Sequence, residues 1–237
     1  MQHDIAGKNP APRDTLGDRA ARDPAVARVF ARFGIDYCCR GWQRLDEACQ
    51  KLGISAADVE AAIQEETAAH PESRTIGWDQ LSLRDLVNHV LTIYHEPLRP
   101  ELERLHDLAI KVARVHGKKD PDRLPALEEA VRDLREDLLH HMQKEEVVLF
   151  PLICEKRGPL LTGPMTVMHH EHETTGALLS RIRTLTGQFQ APDEACNSWR
   201  ALYSGLEALE FSIMQHINFE EHVLFPRGLQ LNQGTAT

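Results

Sequence analysis

The chain has 237 residues, of which 42% are hydrophobic and 27% charged, with a formal net charge of −9. This length suits one large or two modest domains of a globular protein. Lys and Arg are scattered among acidic residues, which argues against nucleic acid as a partner. No apolar run approaches the ~20 residues of a membrane span, and the N-terminus lacks the apolar core of a secretory signal. We therefore expect a cytoplasmic protein that binds neither nucleic acid nor membrane.

The N-terminal third predicts a small helical domain between two irregular segments. Residues 1–13 contain Gly, Asn and Pro without an apolar period and are expected to be a disordered tail. Residues 14–69 carry helically spaced apolar positions, and the pattern S-A-A-D from Ser55 predicts a helix start. Residues 70–79 contain Pro, Ser and Gly and are interpreted as a linker.

The rest of the chain predicts an all-α fold, because Ala, Leu, Glu, Arg and Gln dominate and strand signals are few. Short connections between long helices favour an antiparallel four-helix bundle over residues 80–228, with a tail at 229–237. Pro97 and Pro100 predict a bend in the first long helix. The four predicted helices run from near Ser82 towards His116, from Pro125 to Lys156, from Pro164 to Thr186 and from Asp193 to Phe225.

An internal repeat carries the strongest chemical signal in the sequence. The segment HMQKEEVVLFP at 141–151 matches HINFEEHVLFP at 216–226 in seven of eleven positions. The matches include a His and the Glu four residues after it. Residues i and i+4 share one face of a helix, so each copy can direct one imidazole and one carboxylate at the same point.

Each copy of the repeat also has an upstream histidine at a similar interval. His95 lies 46 residues before His141, and His172 lies 44 residues before His216. If all four helices direct these side chains into the core, the predicted metal ligands are His95, His141, Glu145, His172, His216 and Glu220. Since carboxylates bridge metals and a neutral imidazole binds one, the expected arrangement is two metals with two His each and both Glu bridging. Mixed N/O ligation favours Fe or Mn over a closed structural zinc site.

A plainer alternative is that each His-x-x-x-Glu is a surface pair worth a few tenths of a kcal/mol. For one copy alone this alternative is favoured. Two copies in matching context reverse the preference, and eleven of the 13 His lie between 89 and 222. The repeat is therefore interpreted as a metal site on the helical bundle.

Two further residues carry weaker signals. His116 lies at the end of the first long helix, where a loop could fold over the site, and is a candidate for an extra ligand or an outer contact. Glu171 precedes His172 and is a candidate acceptor for a ligating His or a group of an entry channel, with solvated surface an equal alternative.

The five cysteines are an odd number without a disulfide pattern, which predicts thiols in a reducing compartment. Cys38 and Cys39 are adjacent in Gly34-Ile-Asp-Tyr-Cys-Cys-Arg-Gly41. Adjacent cysteines rarely chelate one metal, and the plainer interpretation is two semi-buried thiols in a turn. Beside a predicted iron site, a redox or iron-transfer role is the alternative.

The segments GIDYCCRG, HMQKEEVVLFP, VMHHEHE and HINFEEHVLFP together resemble the repair of iron centres family, iron-sulfur cluster repair di-iron proteins with a haemerythrin-like domain. The resemblance implies two iron ions in a non-haem centre with oxo and carboxylate bridges. The family's iron-binding residues match His95, His141, Glu145, His172, His216 and Glu220. A further family histidine matches His116, and the family's cysteine pair matches Cys38 and Cys39. Arg40 departs from the family, which has a glycine more often at this position.

The resemblance implies a stress-response protein that repairs iron-sulfur clusters damaged by nitric oxide or oxidants, through iron donation or nitric oxide handling. Its partners would be iron-sulfur proteins as clients and nitric oxide or oxygen as small ligands. One alternative is a reversible nitric oxide or oxygen binding protein or sensor. Another is catalytic reduction of nitric oxide by two adjacent ferrous ions. The N-terminal domain is a plausible element for homodimer formation.

Overall fold

The structure is a computed structural model that describes residues 14–70 and 77–230. The predicted tail 1–13, most of the predicted linker and the last seven residues lie outside this range. Within the described residues every regular element is helical, and no strand occurs. The all-α prediction is therefore confirmed. No helix of the described residues is long and apolar enough to cross a bilayer.

The chain divides into two compact units. Of the described residues, one unit contains 14–70 and 77–80 together with the short segment 218–223, and the other contains 81–217 and 224–230. The segment 218–223 lies inside a helical stretch that runs from Asn197 to Gln230. One stretch of helix thus contributes residues to both units.

In the described part of the first unit, three of the four α-helices begin with an N-cap side chain that accepts a backbone N–H. The Thr15 hydroxyl accepts from the backbone N–H of Asp18 at 3.3 Å, and Ser55 accepts from Asp58 at 3.3 Å. These contacts satisfy N–H groups that a helix start leaves without an intrahelical partner. The four α-helices are α1 (Leu16–Arg22), α2 (Pro24–Arg32), α3 (Leu45–Leu52) and α4 (Ala56–Ala69).

A defined loop joins α2 to α3 and carries the adjacent cysteines. It begins at Gly34, whose φ of +68° is readily adopted only by glycine. The N–H of Ile35 returns to the carbonyl of Phe30 at 2.8 Å, which closes the helix end in the manner of a Schellman motif. The cysteine loop therefore leaves α2 in a fixed direction.

His222 packs against two glycines of the first unit. Gly17 donates its N–H to the carbonyl of Gly41 at 2.9 Å, which brings the two glycines together. A Cβ atom at Gly17 would lie 2.1 Å from Nε2 of His222, and one at Gly41 would lie 2.2 Å from it. Only glycine leaves room for the imidazole at both positions.

The second unit contains four long helical stretches, close to those predicted. A capping box between Ser82 and Asp85 starts the first of them, at the predicted residue. The first bundle helix comprises Leu83–His89, Val90–His95 and Glu96–His116; the second Arg123–Lys144, Glu145–Leu149 and Phe150–Cys154; the third Thr162–Leu185; and the fourth Asn197–Phe219, Glu220–Leu224 and Phe225–Gln230.

Side-chain contacts join these helices into a closed antiparallel ring. Partner numbers rise along one helix as they fall along its neighbour, which is the signature of antiparallel packing. The contacts are Glu103–Arg135 and His106–Glu128 between the first and second helices, Glu129–Arg181 and Asp137–Thr175 between the second and third, Arg183–Glu210 between the third and fourth, and His95–His216 with His116–Trp199 between the fourth and first. This is the architecture of a four-helix bundle.

Three π-helical turns interrupt the bundle helices, and the sequence did not predict them. They span Val90–His95, Glu145–Leu149 and Glu220–Leu224. Each is followed two residues later by a proline, at 97, 151 and 226. A proline has no N–H to donate and its ring clashes with the carbonyl of residue i−4, which explains a local widening to i→i+5 bonding. The predicted bend at Pro97 thus takes the form of a π turn, whereas Pro100 lies within a regular α-helix.

The packing of His222 predicts the effect of a small substitution in the cysteine loop. Gly41→Ala should lower the free energy of unfolding by about 1–3 kcal/mol, because the added methyl overlaps the partly buried imidazole and the Tyr37 carbonyl. Urea unfolding followed by circular dichroism measures the change.

The matched control is Gly163→Ala at the start of the third bundle helix, where a Cβ meets nothing within 4 Å. It should leave stability unchanged or raise it by up to about 1 kcal/mol, since alanine favours helix over glycine. Equal effects of the two substitutions would contradict the glycine cradle.

Candidate metal centre

The six residues of the predicted metal set continue the apolar stripes of the bundle helices. On the second helix the buried positions Leu134 and Leu138 are followed at helical spacing by His141 and Glu145. The fourth helix repeats this, with buried Ile213 preceding the His/Glu pair by three residues. Because residues three and four apart share a helix face, these polar side chains are carried into the core. The exposed fraction is 1% for His95, 2% for His141, His172 and His216, and 0% for Glu145 and Glu220.

The imidazoles meet in pairs across the core. Nε2 of His95 lies 3.3 Å from Nε2 of His216, and Nε2 of His141 lies 3.2 Å from Nε2 of His172. Oε2 of Glu145 lies 3.3 Å from Nε2 of His95 and 3.4 Å from Nε2 of His141. This carboxylate therefore stands between the two histidine pairs.

These side chains form two overlapping groups that can each hold a metal ion. In each group the ligand atoms lie within 4.8 Å of one another. The groups are His95, Glu145, His216 and Glu220, and His141, Glu145, His172 and Glu220. Both glutamates belong to both groups. Each group thus offers two imidazoles of its own and shares two carboxylates with the other group. In such a donor set the carboxylates can bridge a pair of metals.

Carboxylates behind the rings set the direction of two of the imidazoles. Nδ1 of His95 lies 2.8 Å from Glu146, and Nδ1 of His141 lies 3.0 Å from Glu171. A carboxylate only accepts, so each Nδ1 carries the proton and donates it. Each Nε2 then presents a lone pair to the core, which is the tautomer that binds a metal. The residues present therefore fit a metal pair.

Both outer carboxylates are held in turn by cations. Arg99 donates to Oε1 of Glu146 at 2.5 Å, and Lys144 contacts Glu171. The hydrogen bond from His141 lowers the pKa of Glu171 to about 2, against the opposing effect of burial, and Lys144 lowers it further. Glu171 is therefore ionised at neutral pH and remains a full acceptor for the His141 ring.

Aromatic rings pack against the imidazoles of the cluster. Tyr94 stacks on His216 with ring centroids 5.0 Å apart, and Phe150 stacks on His95 at 5.6 Å. Such contacts restrict ring rotation and add apolar surface around the nitrogen donors. The imidazoles are thus oriented by a carboxylate at one edge or by a stacked ring on one face.

Glu146 is the residue of this centre that sequence reasoning missed. It follows Glu145 directly, and the repeat predicted a ligand role for Glu145 alone of the two. The signal was the doubled Glu-Glu in both copies of the repeat, at 145–146 and 220–221. In the π turn, adjacent residues point in different directions, so one glutamate faces the core and the next reaches the outer edge of a ring from another helix.

The structure does not bring His116 to the cluster. It lies 21 residues beyond His95 on the same helix, which corresponds to roughly 30 Å at 1.5 Å per residue. Its Nε2 is 3.2 Å from Sγ of Cys196, and its ring packs on Trp199. The expectation of a loop folding over the site is corrected by this geometry, because the helix end that bears His116 is the far end of the bundle.

The adjacent cysteines lie together in the loop after α2. Their Sγ atoms are 3.5 Å apart, with Cys38 5% exposed and Cys39 partly exposed. All five cysteines of the chain fall within the described residues and are thiols. The expectation of thiols rather than disulfides agrees with the structure.

The chain matches two known domain families and is similar to iron-sulfur cluster repair proteins along most of its length. Residues 86–227 match the Hemerythrin HHE cation binding domain, and residues 12–67 match a domain of unknown function, DUF542. The chain is similar to the iron-sulfur cluster repair protein YtfE of Musicola paradisiaca, at 37% identity over 91% of this chain and 96% of the relative. It is 36% identical to that of Dickeya chrysanthemi over 91% and 96%, and to that of Salmonella newport over 90% and 96%.

The burial of the cluster predicts that metal stabilises the fold. Adding Fe²⁺ anaerobically to metal-free protein should raise Tm by about 5–10 °C at a hundredfold excess over Kd, since a ligand that binds only the folded state adds about 2.7 kcal/mol. Differential scanning calorimetry measures the shift. Glu220→Ala should remove most of it, and an undiminished shift in this variant would contradict binding at the cluster.

Glu146→Gln and Glu171→Gln test the outer carboxylates separately. Each should weaken iron binding by about 10–100-fold while the protein stays folded, because the ring behind it loses its ionic acceptor. Titration with Fe²⁺ gives the affinities. Glu173→Gln is the matched control, since Glu173 is exposed on the third helix and lies 3.6 Å from Nδ1 of the exposed His170; equal weakening by the control would exclude a specific role of the outer pair.

Proposed function

This chain belongs to the family of iron-sulfur cluster repair proteins with a haemerythrin-type cation binding domain, and we propose that it binds two iron ions and repairs damaged iron-sulfur clusters. The observation that carries the proposal is the pair of histidine groups that share both glutamates. The six residues of these groups are the proposed ligands. The name of the relatives, iron-sulfur cluster repair protein, supports the repair function.

The proposed ligands have two roles, since some would hold a single ion and others would bridge the two ions. His95 and His216 would hold one ion, His141 and His172 the other, and Glu145 and Glu220 would bridge them. When bound, the iron pair would supply redox chemistry and open coordination positions for small molecules or for release of an ion. Nitrogen and oxygen donors leave such positions, in contrast to a closed tetrahedral thiolate site.

The outer carboxylates would stabilise the charge of an imidazole that has lost its ion. The side chain of Glu146 is 32% exposed while that of His95 is 1% exposed. Glu171 is 17% exposed and contacts the 2% exposed His141. Each carboxylate thus joins a buried ring to solvent through one hydrogen bond. An imidazole that releases its ion would keep its Nδ1 proton and could take up a second proton at Nε2, and the carboxylate at Nδ1 would stabilise the resulting positive charge.

The proposed clients are iron-sulfur proteins, and the proposed compartment is the cytoplasm. Both are supported by the repair function named for the relatives, together with the thiol state of the five cysteines. A reducing compartment keeps such thiols reduced.

Handling of nitric oxide is a second candidate function, favoured by a surface cavity beside the cluster. The cavity has a volume of about 490 Å³, and Glu146 and Phe150 form part of its wall. Both side chains contact His95 on their other side. A small uncharged molecule that enters this cavity is one side chain away from a proposed ligand.

The repair proposal is tested with a nitric-oxide-damaged iron-sulfur enzyme as the client. Iron-loaded protein should restore the client's activity, whereas Glu145→Ala and Glu220→Ala should give less than about a tenth of that recovery, because each loses a bridging carboxylate. Iron analysis of the same samples should give about two ions per wild-type chain and fewer in the variants.

Glu173→Gln serves as the control and should keep both iron content and repair. Iron loading without any recovery of the client would separate the metal site from the repair function and leave only the former. Recovery that is the same in wild type and both alanine variants would reject the proposal.

The nitric oxide proposal is tested on the reduced, iron-loaded protein under multiple turnover. Production of nitrous oxide, measured by gas chromatography, supports a reductase. Reversible spectral changes without gas or loss of iron support a binding protein or sensor. A protein whose spectrum and headspace are both unchanged by nitric oxide has neither activity.

A further inference from the structure

A second group of metal-ligating atoms lies in the first unit, in the loop between α2 and α3. It consists of Oδ1 of Asp36 and the Sγ atoms of Cys38 and Cys39, all within 4.8 Å of one another. Sγ of Cys38 is 3.4 Å from Oδ1 of Asp36 and 3.5 Å from Sγ of Cys39. The three donors converge on one side of a single loop.

The separations between these donors suit a tetrahedral ion. With metal–sulfur bonds of about 2.3 Å, two sulfurs 3.5 Å apart subtend about 100° at the metal. With a metal–oxygen bond of about 2.1 Å, the 3.4 Å between sulfur and carboxylate oxygen also subtends about 100°. Both angles are close to the tetrahedral value. The donors can therefore accept an ion with little movement of the loop.

The loop is held in this shape by the protein and not by the donors alone. Oδ1 of Asp36 accepts the backbone N–H of Cys39 at 2.9 Å, which fixes the carboxylate beside the thiols. Tyr37 lies between Asp36 and Cys38 in the sequence and is fully buried. Its ring centroid is 6.1 Å from that of Phe30. Gln43 donates its N–H to the carbonyl of Arg40 at 3.1 Å. Adjacent cysteines seldom chelate together, and this turn supplies the constraint that an ordinary chain lacks.

We propose that Asp36, Cys38 and Cys39 form a binding site for a thiophilic divalent metal ion of the Fe²⁺ or Zn²⁺ class. Binding replaces two S–H bonds with two metal–sulfur bonds and releases two protons to solvent. Three protein donors fill three positions of a tetrahedron and leave the fourth open, as in sites where the metal exchanges ligands. The site is suited to transient holding of an ion rather than to a permanent structural role.

Protons compete with a metal ion for the sulfurs of this site. The hydrogen bond with Cys39, together with burial, raises the pKa of Cys38 well above its ordinary value. The thiol is thus protonated at neutral pH, and an entering metal ion must displace its proton to bind the sulfur. Since binding releases protons, the affinity for metal should increase as pH rises.

The loop site is independent of the proposed function of the bundle. The donors of the loop and those of the buried histidine cluster are different in kind, because only the loop offers sulfur. A metal bound to thiolates has a charge-transfer absorption that imidazole and carboxylate ligands do not give. The two sites can therefore be observed separately in the full-length protein.

Anaerobic titration of the reduced, full-length protein with Co²⁺ tests the site. We expect thiolate-to-cobalt charge transfer in the near ultraviolet and visible bands of tetrahedral cobalt. Both should be lost in Cys38→Ser and in Cys39→Ser, and the affinity of Asp36→Asn should fall by about tenfold or more. Cys196→Ser, at an exposed thiol, is the matched control and should keep the full spectrum.

Glu220→Ala separates this site from the buried cluster, since it should keep the thiolate spectrum while losing cobalt from the bundle. The proposal is wrong if the wild type shows no thiolate absorption, or if both cysteine variants retain it.

A measurement on the wild type alone guards against loss of folding in the variants. Zn²⁺ at saturation should slow alkylation of Cys38 and Cys39 by iodoacetamide by about tenfold or more, as read by peptide mass spectrometry, because the metal-bound sulfurs are withdrawn from attack. Cys196 in the same sample should react at an unchanged rate. Alkylation of the pair that is indifferent to Zn²⁺ would overturn the proposal, and loss of two hydrogens from the pair would identify a disulfide instead.

Discussion

The hydrogen bonds from Nδ1 of His95 and His141 to carboxylates are the constraint on which the metal centre depends. Each bond fixes one ring proton on the outside and leaves the Nε2 lone pair directed inward. Inward nitrogens then stand 3.2 to 3.3 Å apart in pairs, beside two carboxylates in the same buried space. Two ionised carboxylates in one buried space repel each other, and burial increases the cost. A pair of divalent cations offsets this repulsion.

The π turns explain how a regular bundle accommodates this concentration of polar groups. Each turn coincides with a member of the cluster: His95 ends the first, and Glu145 and Glu220 begin the other two. The extra residue in a π turn rotates the rest of the helix about its axis, so that the apolar stripe beyond the turn resumes on the correct face. The proline after each turn removes the N–H that would restore α-helical bonding. The Leu-Phe-Pro part of the repeat therefore shapes the backbone at the positions of the proposed ligands.

The segment 218–223 contacts the cysteine loop within the first unit. When the Asn218 amide is oriented so that both its oxygen and its nitrogen have hydrogen-bond partners, the nitrogen donates to the carbonyl of Tyr37 at 2.9 Å. His222 packs on Gly41. These loop contacts bracket the adjacent cysteines in sequence, while Asn218 and His222 bracket Glu220. This segment thus holds the backbone on both sides of the thiols.

The sequence by itself determined the helical class and the members of the buried cluster. His and Glu four residues apart share a helix face whatever surrounds the helix, and the duplication of His141–Glu145 as His216–Glu220 supplied the context that a single copy lacks. Only the tertiary structure decided which groups stand behind the rings, because Glu146 and Glu171 reach histidines on other helices. It also decided that His116 lies away from the cluster. The sequence alone does not show at which end of the bundle the cluster lies, so it does not show how far His116 is from it. The convergence of Asp36 with Cys38 and Cys39 depends on φ at Gly34 and on one side-chain acceptor within the loop, which local sequence patterns allow but do not specify.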